Sequence, residues 1–148
     1  MRVPKQTALR PDELILGARW KAARGPGSFS KIGTRNAMVI SVAGLCLQLD
    51  EDRREVRVAL GSVGPTVLRA PEAEALGAAA LERAGAWDDP SASLDAAATA
   101  EFGERVAAAA RPIDDVRGSA EYRRHACAVL ARRALSWALA DRRGEAVA

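Results

Sequence analysis

A chain of 148 residues is long enough for one domain with a proper core and too short for two ordinary ones. It is 49% hydrophobic, 28% charged and only 4% aromatic, the balance of a globular protein whose core is made of Ala, Val, Leu and Ile. Its net charge of +3 is spread along the chain, which argues against nucleic-acid binding through a concentrated basic stripe.

Residues 1–12 hold Pro4 and Pro11, show no periodicity and read as a linker with no apolar leader segment. "ELILGARW", Glu13 to Trp20, reads as a strand with Leu14, Leu16, Ala18 and Trp20 on one face. Gly25, Pro26 and Gly27 mark a loop. The next segment, "FSKIGTRNAMVISVAGLCLQLD", passes from a polar stretch carrying Lys31 and Arg35 into an apolar run. From Met38 to Leu49 apolar content alone would also allow a helix. The charged "DEDRRE" that follows, and the alternation of Val56, Val58 and Leu60 with Arg57, Ala59 and Gly61, favour a β-hairpin. "AMVISVAGLCLQL" is too short to span a bilayer, so no membrane span is expected.

Beyond Pro65 the pattern turns helical. Pro71 stands near a helix start, Glu72 and Glu74 fall in its first turn, and Gly85 ends it. A second helix is predicted over about Leu94 to Ala110. "PIDDVRGS" connects it to a third, N-capped by Ser119, whose apolar stripe takes in Tyr122, Ala126, Val129, Leu130, Ala134 and Trp137. About three strands followed by about three segregated helices predict an α+β layer fold with an antiparallel sheet.

Chemical motifs are sparse. The sequence has no GxGxxG following a strand, no P-loop, no CxxC, no HExxH and no GxSxG. "GARWKAARGPG" lacks phosphate-loop spacing and reads as an ordinary surface loop. Cys46 and Cys127 each sit in an apolar run and read as small core residues, with neither a disulfide nor a metal site expected and the cytoplasm as the natural compartment. His125, the only histidine, has no acidic or Ser partner at a specific spacing, and the basic "YRRHACAVLARR" reads as a solvated helix face. Asp114, Asp115 and Arg117 in "DDVRGS" read as a helix cap and ion pair rather than an acid–base dyad. No catalytic residue is assigned.

Four segments, in order, carry a resemblance: "KQTALRPDELILGARW", "FSKIGTRNAM", "RVALGSVGPTVLRAPEAEAL" and "RPIDDVRGSAEYRRHACAVLARRAL". Together they resemble the C-terminal domain of the FAD-binding (medium) subunit of molybdenum hydroxylases, the carbon monoxide dehydrogenase and xanthine dehydrogenase relatives. The resemblance implies the same α+β fold, with an antiparallel sheet of three to four strands packed against the helical layer. It also implies a place in electron transfer, from a molybdopterin large subunit and an iron–sulfur small subunit, through FAD, to an external acceptor. Within it, Lys31 matches the lysine beside the flavin ring and Arg35 the arginine that fixes the segment or a subunit contact, so these two are the candidate cofactor-binding residues. Two departures stand out. The family pattern R-x-A-M-D has Val39 in place of its carboxylate, and the glycine-rich loops of the FAD-binding region are missing from this sequence.

The expected organisation is therefore a linker over 1–12 from a missing FAD-binding region, a CO dehydrogenase flavoprotein C-terminal-like domain over 13–142, and a flexible tail over 143–148. FAD is expected only together with an N-terminal half or a separate chain that binds it, and no cofactor in the isolated chain. The alternative is a non-catalytic docking module that binds no flavin.

Overall fold

The computed structural model describes residues 7–22, 24–36 and 38–145. The first half of the expected linker and the last three residues of the expected tail lie outside them. Four strands form one sheet in the order β1-β2-β3-β4: β1 (Gly27–Ile32), β2 (Ala43–Asp50), β3 (Glu55–Gly61) and β4 (Leu68–Arg69). Each neighbouring pair is antiparallel. Three helices follow: α1 (Pro71–Arg83), α2 (Ala96–Ala109) and α3 (Ala120–Arg142).

The predicted hairpin is β2–β3. Leu45 stands opposite Leu60, Leu47 opposite Val58 and Leu49 opposite Val56, all on one face. These six side chains are buried against the helices, with Phe102, Val106, Cys127, Leu130, Ala131 and Leu135 opposite them. Asp50 closes the hairpin, its buried carboxylate accepting from the Arg53 guanidinium at 2.7 Å. That ion pair lowers the Asp50 pKa. Arg54 takes φ of +53° so that the chain can reverse there.

The helix ends follow their punctuation. Pro71 opens α1 and Gly85, at φ +67°, follows its C-cap. Asp95 caps α2 by accepting from the Ala98 amide at 2.6 Å, and Ser119 caps α3 by accepting from the Tyr122 amide at 3.1 Å. α2 and α3 approach closely because Gly103 has no side chain. A Cβ there would lie 2.9 Å from the Ala128 carbonyl oxygen. Glu74 ties α1 to the sheet, accepting from the Val58 amide at 3.0 Å and from Arg69 Nε at 2.7 Å. It takes a ladder position that β4, two residues long, does not reach.

Four expectations are corrected. Residues 13–20 form no strand: Leu14, Ile15, Leu16 and Trp20 are 72–97% exposed, because no strand of the sheet pairs with this alternating run. The strand that does line β2 is β1, which lies in the polar stretch and buries only half its residues partially. Cys46 is exposed, since it points to the sheet face opposite Leu45 and Leu47, whereas Cys127 is buried as expected. The buried face of α3 is turned from the predicted stripe: Ala126, Leu130 and Ala134 are buried, but Tyr122 is exposed and Val129 and Trp137 are half-buried. Arg123, read as part of a solvated face, is 3% exposed. Among the described residues no helix is long and apolar enough to cross a membrane.

Candidate functional site

Helices cover one face of the sheet and leave the other open. On the open face Phe29 pairs with Cys46, and Lys31 with Gly44, which is in turn opposite Gly61. The two glycines make a lane with no side chain of its own, but Gly44 is buried and the Phe29 ring lies against that end of it. A Cβ on Gly44 would be in contact with the Phe29 ring at 3.9 Å, whereas one on Gly61 would meet nothing within 4 Å. Lys31 is exposed at the edge of this lane, and Phe29 is 68% exposed beside it.

β1 ends at Ile32, and the chain then loops back to β2. Both predicted site residues serve this loop: Lys31 Nζ donates to the Val39 carbonyl at 3.1 Å, and Arg35 Nη2 to the Met38 carbonyl at 3.3 Å. The loop is closed where the Val42 amide donates to the Ile32 carbonyl at 2.7 Å. Val39, standing where the resemblance expects a carboxylate, turns its side chain onto Gly33, where any Cβ would collide with it. Lys31 and Arg35 share the loop without touching one another's partners.

Behind the loop lies the "DDVRGS" turn. Asp114 accepts from the Ala120 amide at the start of α3 at 2.6 Å. Asp115 accepts from the Arg117 amide and from Arg117 Nη2 at 2.8 and 2.7 Å, and from Arg123 Nη2 at 2.6 Å. The Arg117 bonds, side chain before backbone, with Arg123 adding to them, hold the Asp115 carboxyl down at about 2, against an ordinary 3.8. Both carboxylates are thus engaged, Asp114 by the start of α3 and Asp115 by two arginines.

Arg123 is the residue that sequence reasoning missed. Its Nη1 donates to the Val42 carbonyl at 2.7 Å and the Ser62 carbonyl at 2.9 Å, tying α3 to the start of β2 and the end of β3. A signal was present: Arg123 precedes Ala126, Cys127 and Leu130 at helical spacing and so shares their buried face. His125 is exposed, and among the described residues no cluster of His, Cys, Asp and Glu could hold a metal.

A four-stranded antiparallel sheet with one face under three helices and a basic, looped end defines an α+β domain of a particular kind. The family model of the CO dehydrogenase flavoprotein C-terminal domain matches residues 90–138, roughly a third of the chain. That span takes in α2, the "DDVRGS" turn and most of α3, and stops short of Lys31 and Arg35. No curated protein matches.

Several solved structures share the fold. Carbon monoxide dehydrogenase from Hydrogenophaga pseudoflava, in a form lacking the Mo-pyranopterin moiety of the molybdenum cofactor, is 22% identical with a TM-score of 0.57, over 78% of this chain and 37% of that one. Reconstituted CO dehydrogenase from Oligotropha carboxidovorans is 22% identical with a TM-score of 0.56, over 77% and 36%. Quinoline 2-oxidoreductase from Pseudomonas putida 86 is 19% identical with a TM-score of 0.55, over 78% and 37%. The chain thus spans just over a third of the length of the chains it resembles. The resemblance to the CO dehydrogenase flavoprotein C-terminal domain, and the fold it implied, are borne out.

Proposed function

We propose that the chain serves as the C-terminal domain of the flavoprotein component of a molybdenum-dependent dehydrogenase, with its open sheet face turned toward the flavin. The observation that carries this reading is the Gly44–Gly61 lane flanked by Phe29 and Lys31, on a fold shared with CO dehydrogenase chains. A glycine lane with an aromatic ring beside it and the Lys31 ammonium at its rim suits the edge of a planar ring system. The residues fit that part of FAD and no more, since the sequence carries no glycine-rich phosphate loop to hold a pyrophosphate. A separate polypeptide or segment would supply that loop, and the exposed Leu14, Ile15, Leu16 and Trp20 offer it an apolar contact.

FAD, when bound, would supply the carrier that takes electrons from the iron–sulfur and molybdopterin subunits and passes them to an acceptor. The part of this chain is electrostatic and positional. Lys31 presents a fixed ammonium that favours negative charge at the ring edge. Arg35 keeps the loop closed through Met38, so that Lys31 stays anchored over Val39. A docking module without flavin is the second reading. It is favoured by one observation, that Lys31 and Arg35 each already hold a carbonyl of their own loop.

The test is a flavin titration of the chain, alone and mixed with a candidate FAD-binding polypeptide, followed by visible absorbance. Flavin retained only in the mixture, with a potential that falls in Lys31→Ala, supports the first reading. A stable complex without flavin, or a potential that Lys31→Ala leaves unmoved, supports the second and removes Lys31 from the flavin.

A further inference from the structure

A cavity of about 560 Å³ opens where β2 begins and β3 ends. Ser41 lines it from the start of β2, Ser62, Gly64 and Pro65 from the segment after β3, and Arg111, Ile113, Asp115, Arg117 and Arg123 from the helical side. Three arginines and one carboxylate thus share the lining. Asp115 is shared by Arg117 and Arg123. Arg123 spends its remaining donors on the Val42, Ser62 and Gly118 carbonyls. Arg111 has no carboxylate within ion-pair distance among the described residues; only its Nη1 is engaged, by the Ala108 and Ala110 carbonyls. Its Nε and Nη2 and the second Nη of Arg117 are left as donors without a protein acceptor.

The rest of the lining narrows the ligand. Pro65, Ile113 and Gly64 make an apolar wall. Ser62, which lines the cavity, is held at φ +64°, a left-handed conformation unusual for a residue with a side chain. Converging cationic donors and hydroxyls beside an apolar wall make a ligand site rather than a bare ion site. The space far exceeds a single anionic group, and Asp115 on the wall repels a second negative charge.

We propose that this cavity binds a small organic monocarboxylate, with its carboxylate on Arg111 and its apolar body against Pro65 and Ile113. A guanidinium meets a carboxylate edge-on through two N–H groups, and the free Nε and Nη2 of Arg111 offer that edge. The site is separate from the open sheet face and needs no flavin.

The probe is benzoate, titrated into the full chain and followed by amide nitrogen–proton shifts, with benzamide as the uncharged isostere and inorganic phosphate as the anion without an apolar body. Benzoate should shift the amides of Ser62, Gly64, Arg111 and Arg117 saturably. Benzamide and phosphate should bind at least about tenfold more weakly, the loss expected when a charged bidentate partner or a buried apolar body is removed. Arg111→Gln should weaken benzoate by a similar factor while keeping the backbone bond from Arg111 N–H to the Val63 carbonyl. Ser62→Gly, which relieves the left-handed φ and so folds at least as well, should weaken it by a few-fold. Shifts that do not saturate, benzamide binding as well as benzoate, or unchanged affinity in both variants would each overturn the assignment. Phosphate binding as tightly as benzoate would overturn the apolar half of it.

Discussion

Arg123→Leu removes a buried fork that holds three parts of the chain together. Leucine can occupy the space of the aliphatic stem, so the main loss is polar. The Val42 and Ser62 carbonyls lose donors at 2.7 and 2.9 Å, and the first lies in the interior. A buried acceptor stripped of its partner costs about 1–3 kcal/mol, which falls on the Val42 carbonyl, while water can reach the exposed Ser62 and replace most of its loss. Asp115 is not stranded, because Arg117 still holds it through three contacts. The whole domain is worth only about 5–15 kcal/mol, so a central loss of about 2 kcal/mol should lower the melting temperature on the order of 5 °C. Urea unfolding followed by circular dichroism gives the number directly: the midpoint should fall with an unchanged slope. Arg123→Lys, which keeps the charge but not the planar fork, should fall between wild type and Arg123→Leu. A midpoint for Arg123→Leu within about 1 kcal/mol of wild type would mean that water satisfies these carbonyls, and that the buried arginine is not the tie described here.

Two further outcomes follow from the titrating groups. Asp115 is held at about 2 against an ordinary 3.8, so the stability it brings is complete above its ordinary value and drains away as the pH falls toward about 2. The gap in melting temperature between wild type and Asp115→Asn should therefore be level near neutrality and close on acidification; a gap as wide at about pH 2 as at neutrality would refute the pairing. Burial pushes the Cys127 thiol up to about 11, whereas Cys46 is exposed on the sheet. A thiol reagent should label Cys46 at once and Cys127 only after unfolding, and prompt labelling of Cys127 in the native protein would contradict its place in the core.

The parts of the fold legible in the sequence are those with punctuation. Pro71 and Gly85, Asp95, and Ser119 bound the helices because each solves a local problem of unpaired backbone groups, whatever the rest of the chain does. The β2–β3 hairpin was legible for a similar reason, since Val56, Val58 and Leu60 alternate against a charged turn. β1 was not, because its inward residues are Ser28, Ser30 and Ile32, and an edge strand that buries so little has no apolar signature. Residues 13–20 have that signature and form no strand, since alternation expresses only the capacity to pair. Of the candidate site, Lys31 and Arg35 could be singled out through the resemblance. The cavity could not: it gathers Ser41, Ser62, Arg111 and Arg117 from four stretches that only the tertiary fold brings together.

The span matched by the family model and the loop bearing Lys31 are far apart in sequence, yet they are mechanically joined. Arg123, inside the matched span, holds the Val42 carbonyl. The Val42 amide in turn closes the loop on Ile32, the neighbour of Lys31, and Lys31 clasps Val39 within that same loop. Asp115 orients the Arg123 fork from the other side. A loosened Arg123 would therefore free the β1–β2 loop before it disturbed the core, because the packed leucines of β2 do not depend on it. The position of the Lys31 ammonium is thus set by "DDVRGS" and α3 as much as by β1, which gives the resemblance in that distant segment a physical bearing on the open face of the sheet.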